Sequence, residues 1–186
     1  GLERFYHAYP SRCFDVGIAE EHAVAMAAGM ALRGCKPYVA IYSTFLQRAY
    51  DQIMMDVCLN RAKVTFLIDR GGLNGADGST HQGAYDLSYL KQMPGLTIGA
   101  PKDLAELRRM LTLSLCAEGP MAIRYPKALP EGAEAAFKLG DWTVETADDA
   151  NAGDANAGDE GVSAAASAAA SAAAKRSASA SGTNCA

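Results

Sequence analysis

Four short runs of β-forming residues, set among stretches long enough for several helical turns, constrain this chain more than any other feature. The runs are Tyr38–Tyr42 (YVAIY), Val64–Ile68 (VTFLI), Leu96–Ala100 (LTIGA) and Met121–Tyr125 (MAIRY), each bounded by Pro, Gly or charge. Runs with this continuous apolar character belong to strands covered on both faces of a parallel sheet. Around them lie Glu20–Leu32, Phe45–Leu59 and Asp103–Cys116, which predict helices. Asp103 follows Pro101-Lys102 and precedes Glu106 by three residues, a capping box with Asp in place of Ser or Thr. The alternation predicts an α/β domain with a doubly wound, mostly parallel sheet and right-handed crossovers. In such sheets ligand-handling groups collect beyond the carboxyl ends of strands, here at Ser43–Thr44, Asp69–Gly83 and Pro101.

The pattern stops well before the chain does. Up to Pro126 there are 13 Lys+Arg against 12 Asp+Glu; from Lys127 on, 4 against 9, for a net charge of −4 over 186 residues. Ala150–Asp154 (ANAGD) repeats at once as Ala155–Asp159, and Ser163–Ala174 is SAAA three times. A stretch without large apolar side chains cannot offset the entropy of ordering, so 147–186 reads as a disordered tail. The expected organisation is a domain over 1–126, an acidic extension over 127–146, and that tail. A near-neutral domain and an acidic appendage do not suit nucleic acid. No apolar run approaches the roughly 20 residues of a membrane span, and no leader pattern is expected at the start. Cys13, Cys35, Cys58, Cys116 and Cys185 form no CxxC pair. They read as reduced thiols in a cytoplasmic protein, with no metal site among them.

Three stretches carry chemical groups. The densest is Asp69–Gly83 (DRGGLNGADGSTHQG), where glycines permit close backbone approach to a ligand, and Arg70, Asp77 and His81 bring charge and a titratable imidazole. A surface turn is the plainer alternative, but a long irregular loop at a strand's carboxyl end is usually functional. The second stretch, Phe14–Gly29, opens an apolar small-residue helix with Glu20, Glu21 and His22. One carboxylate of that pair is expected to face a dry wall, where burial raises a carboxyl pKa and suits a hydrogen bond to a ring nitrogen. The third, Tyr42–Asp51 (YSTFLQRAYD), sets Phe45, Arg48 and Tyr50 along a helix; aromatics so spaced serve cores more often than cofactors.

Taken together, these stretches resemble the 1-deoxy-D-xylulose-5-phosphate synthase family of transketolase-like thiamine diphosphate enzymes. The matching strings, in order, are DVGIAE (Asp15–Glu20) with His22-Ala23-Val24, AIYSTFLQRAYDQ (Ala40–Gln52), Asp69-Arg70, GADG (Gly75–Gly78), THQG (Thr80–Gly83), SYL (Ser88–Leu90), Pro101-Lys102-Asp103 and Arg124-Tyr125-Pro126. The resemblance implies the family's central, pyrimidine-binding domain. Glu20 then matches the glutamate on the cofactor's aminopyrimidine ring, where it promotes the imino tautomer that activates the thiazolium carbon. Phe45 matches the aromatic stacked on that ring, with Tyr42 beside it. His81 matches the loop histidine near the reacting carbon. Tyr42, Arg48, Arg70, Asp77 and Arg124 match positions lining the acceptor pocket, where guanidinium forks suit the phosphate of glyceraldehyde 3-phosphate. The implied reaction joins pyruvate, after loss of carbon dioxide, to that aldehyde, in isoprenoid precursor and thiamine biosynthesis.

The departures are as specific as the matches. Glu21 stands where the family has Gln, Met55 where it has His, and DRGG where it has DRAG. The GDG motif that holds Mg²⁺ and the diphosphate in the family's first domain occurs nowhere in this sequence. The resemblance therefore implies cofactor and Mg²⁺ ligands on a separate diphosphate-binding domain or subunit, a homodimer, and a chain inactive by itself. Two other readings are a subunit of a split enzyme and a non-catalytic interaction remnant; a domain facing missing neighbours is also expected to leave apolar surface bare.

Overall fold

The computed structural model describes residues 2–75 and 77–128. The chain separates into Gly1–Glu134 and Ala135–Ala186, and the described elements lie in the first. Beyond Ala128, the expected acidic extension and disordered tail fall outside the described residues.

In chain order the elements are α1 (Glu3–Ala8), a 3₁₀ turn (Pro10–Arg12), α2 (Glu20–Leu32), β1 (Tyr38–Tyr42) and α3 (Ser43–Leu46). A 3₁₀ turn (Gln47–Ala49), α4 (Tyr50–Gln52) and a π-helical segment (Ile53–Cys58) continue directly from α3. Then come β2 (Thr65–Asp69), α5 (Asp86–Leu90), β3 (Thr97–Gly99), α6 (Leu104–Ser114) and β4 (Met121–Arg124).

The four strands form one sheet in the order β1-β2-β4-β3, and every pairing is parallel. Alternate residues of the strands face opposite layers. Val39, Phe66, Ile68 and Ala122 pack with Val24, Ala27 and Ala28 of α2, with Ile53 and Val57 of the π-helical segment, and with Leu90 of α5. Met121, Ile123 and Leu67 pack instead with Leu107, Met110 and Leu111 of α6. Each large side chain brought to zero exposure, such as Phe66 or Ile53, contributes about 1.5–3 kcal/mol. The sheet is covered on both faces, as a doubly wound domain requires. The β3-to-β4 connection runs back across the sheet, opposite to the earlier ones, so a right-handed crossover puts α6 on the opposite face.

The Asp103 cap on α6 forms as the sequence predicts, while the return bond to Glu106 comes from one residue earlier than in a capping box. Asp103 accepts a hydrogen bond from Glu106 N–H at 2.7 Å, and the Glu106 carboxylate accepts one from Lys102 N–H at 2.7 Å.

The expected helix over Phe45–Leu59 differs. It begins at Ser43 and passes through α, 3₁₀, α and π geometry. Leu46, Ala49, Ile53 and Val57, spaced three and four apart and all at 0% exposure, face the core throughout, while Arg48 stays outside. α1 and α5 are helices that the sequence reading left unassigned.

Candidate functional site

The sheet register brings Tyr42 at the end of β1 beside Asp69 at the end of β2, with Arg124 of β4 opposite Ile68. Three chemically equipped segments therefore leave the sheet on one side. α2 adds Glu20 from its first turn, where unpaired helix N–H groups favour a negative charge.

Glu20 lies on the stripe of α2 that continues through Val24, Ala27, Ala28 and Ala31, the residues turned toward the core. Its side chain is 11% exposed, whereas Glu21 and His22 are exposed. One Glu20 oxygen accepts a hydrogen bond from Arg48 Nη1 at 2.6 Å; the other makes none among the described residues. The expected dry wall is thus broken by a guanidinium.

Arg48 also lies over the Phe45 ring, its Cζ 4.9 Å from the centroid. Phe45 stacks with Tyr42 at 5.8 Å and 19°, and pairs with His81 in a T-shaped arrangement at 5.2 Å and 87°. The guanidinium of Arg70 caps the Tyr42 ring at 4.0 Å.

The loop after β2 is pinned by its own polar side chains. Asn74, 5% exposed, donates from its side-chain amide to the carbonyls of Arg70, Gly72 and His81 and from its backbone N–H to Gln82 Oε1. Gln82 donates back to the Asn74 and Gly78 carbonyls. At the neck, Gly83 has no room for a side chain: a Cβ there would lie 2.1 Å from the Arg70 carbonyl oxygen. Thr80 Oγ1 bonds His81 Nδ1 at 2.9 Å, and Thr44 donates to the Thr80 carbonyl at 3.1 Å, fastening the loop to α3. His81 keeps its other ring nitrogen without a hydrogen bond among the described residues.

Asp77 sits between two cations, 3.3 Å from Arg70 Nε and 2.5 Å from Lys127 Nζ. The hydrogen bond from Lys127, with its charge and that of Arg70, holds the Asp77 carboxyl below its ordinary range against the opposing effect of burial. Arg70 also pairs with Asp69. Glu20, Tyr42, Phe45, Arg48, Arg70, Asp77 and His81 therefore form one contiguous cluster.

Arg124 is placed differently from the rest. Its Nε donates to Asp86 at 2.8 Å, and its Nη2 reaches Asp86 at 3.3 Å and the Gly83 carbonyl at 3.2 Å. With Asp86 1% and Arg124 17% exposed, removing one partner strands a buried charge, at about 3–5 kcal/mol. Sequence reading names Gln82 among the loop's polar groups but misses Lys127, Asp86 and Asn74, whose partners are distant in sequence or are backbone atoms of the loop.

Among the described residues, no three His, Cys, Asp or Glu side chains gather as metal ligands, and no helix is long and apolar enough to cross a membrane. Cys13, Cys35, Cys58 and Cys116 are unbridged. The groups present suit a flat, nitrogen-bearing ring: a carboxylate with one oxygen open to accept, an aromatic ring and an imidazole.

Fold and site together describe a parallel α/β domain with a cluster of charged and aromatic side chains at its strand ends. The chain belongs to the transketolase pyrimidine-binding domain family, whose profile matches residues 1–131. It is 59% identical over 133 residues to 1-deoxy-D-xylulose-5-phosphate synthase of Oleidesulfovibrio alaskensis, covering 72% of this chain and 21% of that enzyme. It is 61% identical over 132 residues to the synthase of Anaeromyxobacter sp. (strain K), covering 71% and 21%. Two solved structures share the fold. A split gene transketolase described as an inactive beta4 tetramer matches with TM-score 0.64 and 28% identity, over 73% of this chain and 45% of that one. Transketolase of Campylobacter jejuni matches with TM-score 0.60 and 25% identity, over 67% and 20%. The chain spans about one fifth of the length of the curated relatives it matches.

Proposed function

We propose that this chain forms the pyrimidine half of a thiamine diphosphate site in a transferase of the 1-deoxy-D-xylulose-5-phosphate synthase type. Its substrates would be pyruvate, decarboxylated in the reaction, and glyceraldehyde 3-phosphate. The observation that carries this reading is the cluster of Glu20, Phe45 and His81 in a chain about 60% identical to such synthases. Bound thiamine diphosphate supplies the stabilisation of carbanion character that side chains lack.

Glu20 holds or takes a proton at a ring nitrogen of the aminopyrimidine, sharing or releasing Arg48 as it does so. Phe45 offers its face to that ring, with Tyr42 behind it. His81, held by Thr80, moves a proton at the reacting oxygen or stabilises negative charge there. Arg48, Arg70 and Arg124 favour the phosphate of the acceptor aldehyde, and Asp77 orients Arg70. Arg124 has only Nη1 left for that role, since Asp86 and Gly83 engage the rest of its fork.

The family resemblance puts the Mg²⁺ and diphosphate ligands on another domain or subunit, and on this reading residues 1–126 alone are inactive. A homodimer in the cytoplasm is the expected setting. The likeness to a split gene transketolase favours a second reading, in which this chain is one subunit of a two-chain enzyme.

The test is product formation by the chain combined with a diphosphate-binding domain from a synthase relative. Arg70→Met should raise KM for glyceraldehyde 3-phosphate at least tenfold with little change for pyruvate. Equal effects on both substrates would remove Arg70 from the acceptor pocket.

A further inference from the structure

Asp86 is a fully buried carboxylate that touches neither cofactor nor substrate in the proposed function. A charge taken that far from water is held only by close partners. Those partners are Arg124, through two nitrogens, and the Leu87 N–H at 2.9 Å.

Arg124 joins this carboxylate to the loop. Its Nη2 donates to Gly83 O, and Gly71 packs on the guanidinium so closely that an added Cβ would meet it at 3.1 Å. Gly71 N–H donates in turn to Tyr125 O at 2.9 Å. Immediately beyond, Gly72 and Gly83 exchange two backbone hydrogen bonds, at 2.9 and 2.8 Å, and close the neck of the loop that carries Asp77 and His81. One planar fork thus ties the end of β4, the neck and the first residue of α5.

We infer that Asp86 is a positioning residue for this loop: by fixing the orientation of Arg124 it holds the Gly72–Gly83 neck and, through it, keeps His81 against Phe45. The contact stands on geometry alone, and only its functional meaning rests on the proposed thiamine diphosphate site. A rival role is local, because Asp86 also accepts from Leu87 N–H at the start of α5.

The two roles separate by NMR of the full-length chain. The ring current of Phe45 displaces the His81 imidazole resonances, and exposed His22 serves as the internal reference. Asp86→Asn is expected to move the His81 resonances toward those of His22 and to speed amide exchange at Gly72 and Gly83 at least tenfold. Arg124→Lys keeps a positive charge but loses the fork. It should move the same signals in the same direction and by less, and it serves as the test if Asp86→Asn does not fold. Unchanged His81 signals in a folded variant, or changes confined to Leu87–Leu90, would overturn the inference. This readout involves no cofactor, so it can fail while thiamine diphosphate binding succeeds, or the reverse.

Discussion

Glu20 and Glu21 adjoin in sequence and part in space. A helix turns about 100° per residue, and it is Glu20, 11% exposed, that falls on the side of Val24, Ala27, Ala28 and Ala31, while Glu21 is exposed. The extra carboxylate of Glu21 therefore points away to solvent. Ser43 presents the opposite case, a hydroxyl at 2% exposure without a hydrogen-bond partner among the described residues. Ser43→Ala removes an unsatisfied group and is expected to leave stability unchanged or raise it by up to about 1 kcal/mol in urea unfolding. A loss of 2 kcal/mol would mean that the hydroxyl has a partner. Lys127→Met removes the main force on the Asp77 carboxyl, whose pKa should rise toward its ordinary 3.8 in a carbon-detected NMR titration. The chemical side chains were legible in sequence because they sit in recognisable strings. Lys127 and Asp86 were not, because their partners lie 50 and 38 residues away and no local pattern announces such a pair.

Helix α6 shows how far a local signal reaches. Its cap involves residues only three or four apart, and the sequence placed it correctly. Asp103→Ala should cost about 1 kcal/mol in urea unfolding, within the usual range for a lost cap. The strands were legible to within two residues at either end, since apolar runs and their Pro and Gly boundaries are also local. The sheet order was not, because the placement of β4 between β2 and β3 depends on contacts across the whole domain. Nor was the changing winding from Ser43 to Cys58, because the buried positions keep the three- and four-residue spacing of one helix and carry no trace of it. That segment ends at Cys58, 2% exposed, whose thiol burial pushes up to about 11. A thiol reagent at pH 8 should label Cys35 and Cys116 quickly and Cys58 only on unfolding; fast labelling of Cys58 in the native protein would place it outside the core.

At the scale of the domain, its buried proton donors set an alkaline limit. Burial raises Cys58 from 9.0 to about 11 and Tyr125 from 10.0 to about 12, and raises Tyr89 as well, with the charge of Asp86 adding to the effect. Each group keeps its proton longer in the native state than in the unfolded one. Their contribution is complete below pH 9 and is lost as pH rises through 11–12. The urea midpoint should fall steadily between pH 9 and 11; a flat profile would contradict these burials. The domain also bares large apolar side chains, with Ile18 92%, Leu73 87%, Tyr85 70% and Phe14 60% exposed. Such a surface matches the sequence-based expectation of a domain facing neighbours, and light scattering should show self-association. In the proposed function, Glu20 anchors the pyrimidine end of thiamine diphosphate. The most direct test is calorimetric titration of thiamine diphosphate with Mg²⁺ into this chain plus a separately supplied diphosphate-binding domain, for wild type and Glu20→Ala. Saturable binding weakened at least about tenfold by the substitution, as for a lost charged hydrogen bond of roughly 1.5–3 kcal/mol, is the predicted result. Equal affinity in both proteins would contradict it.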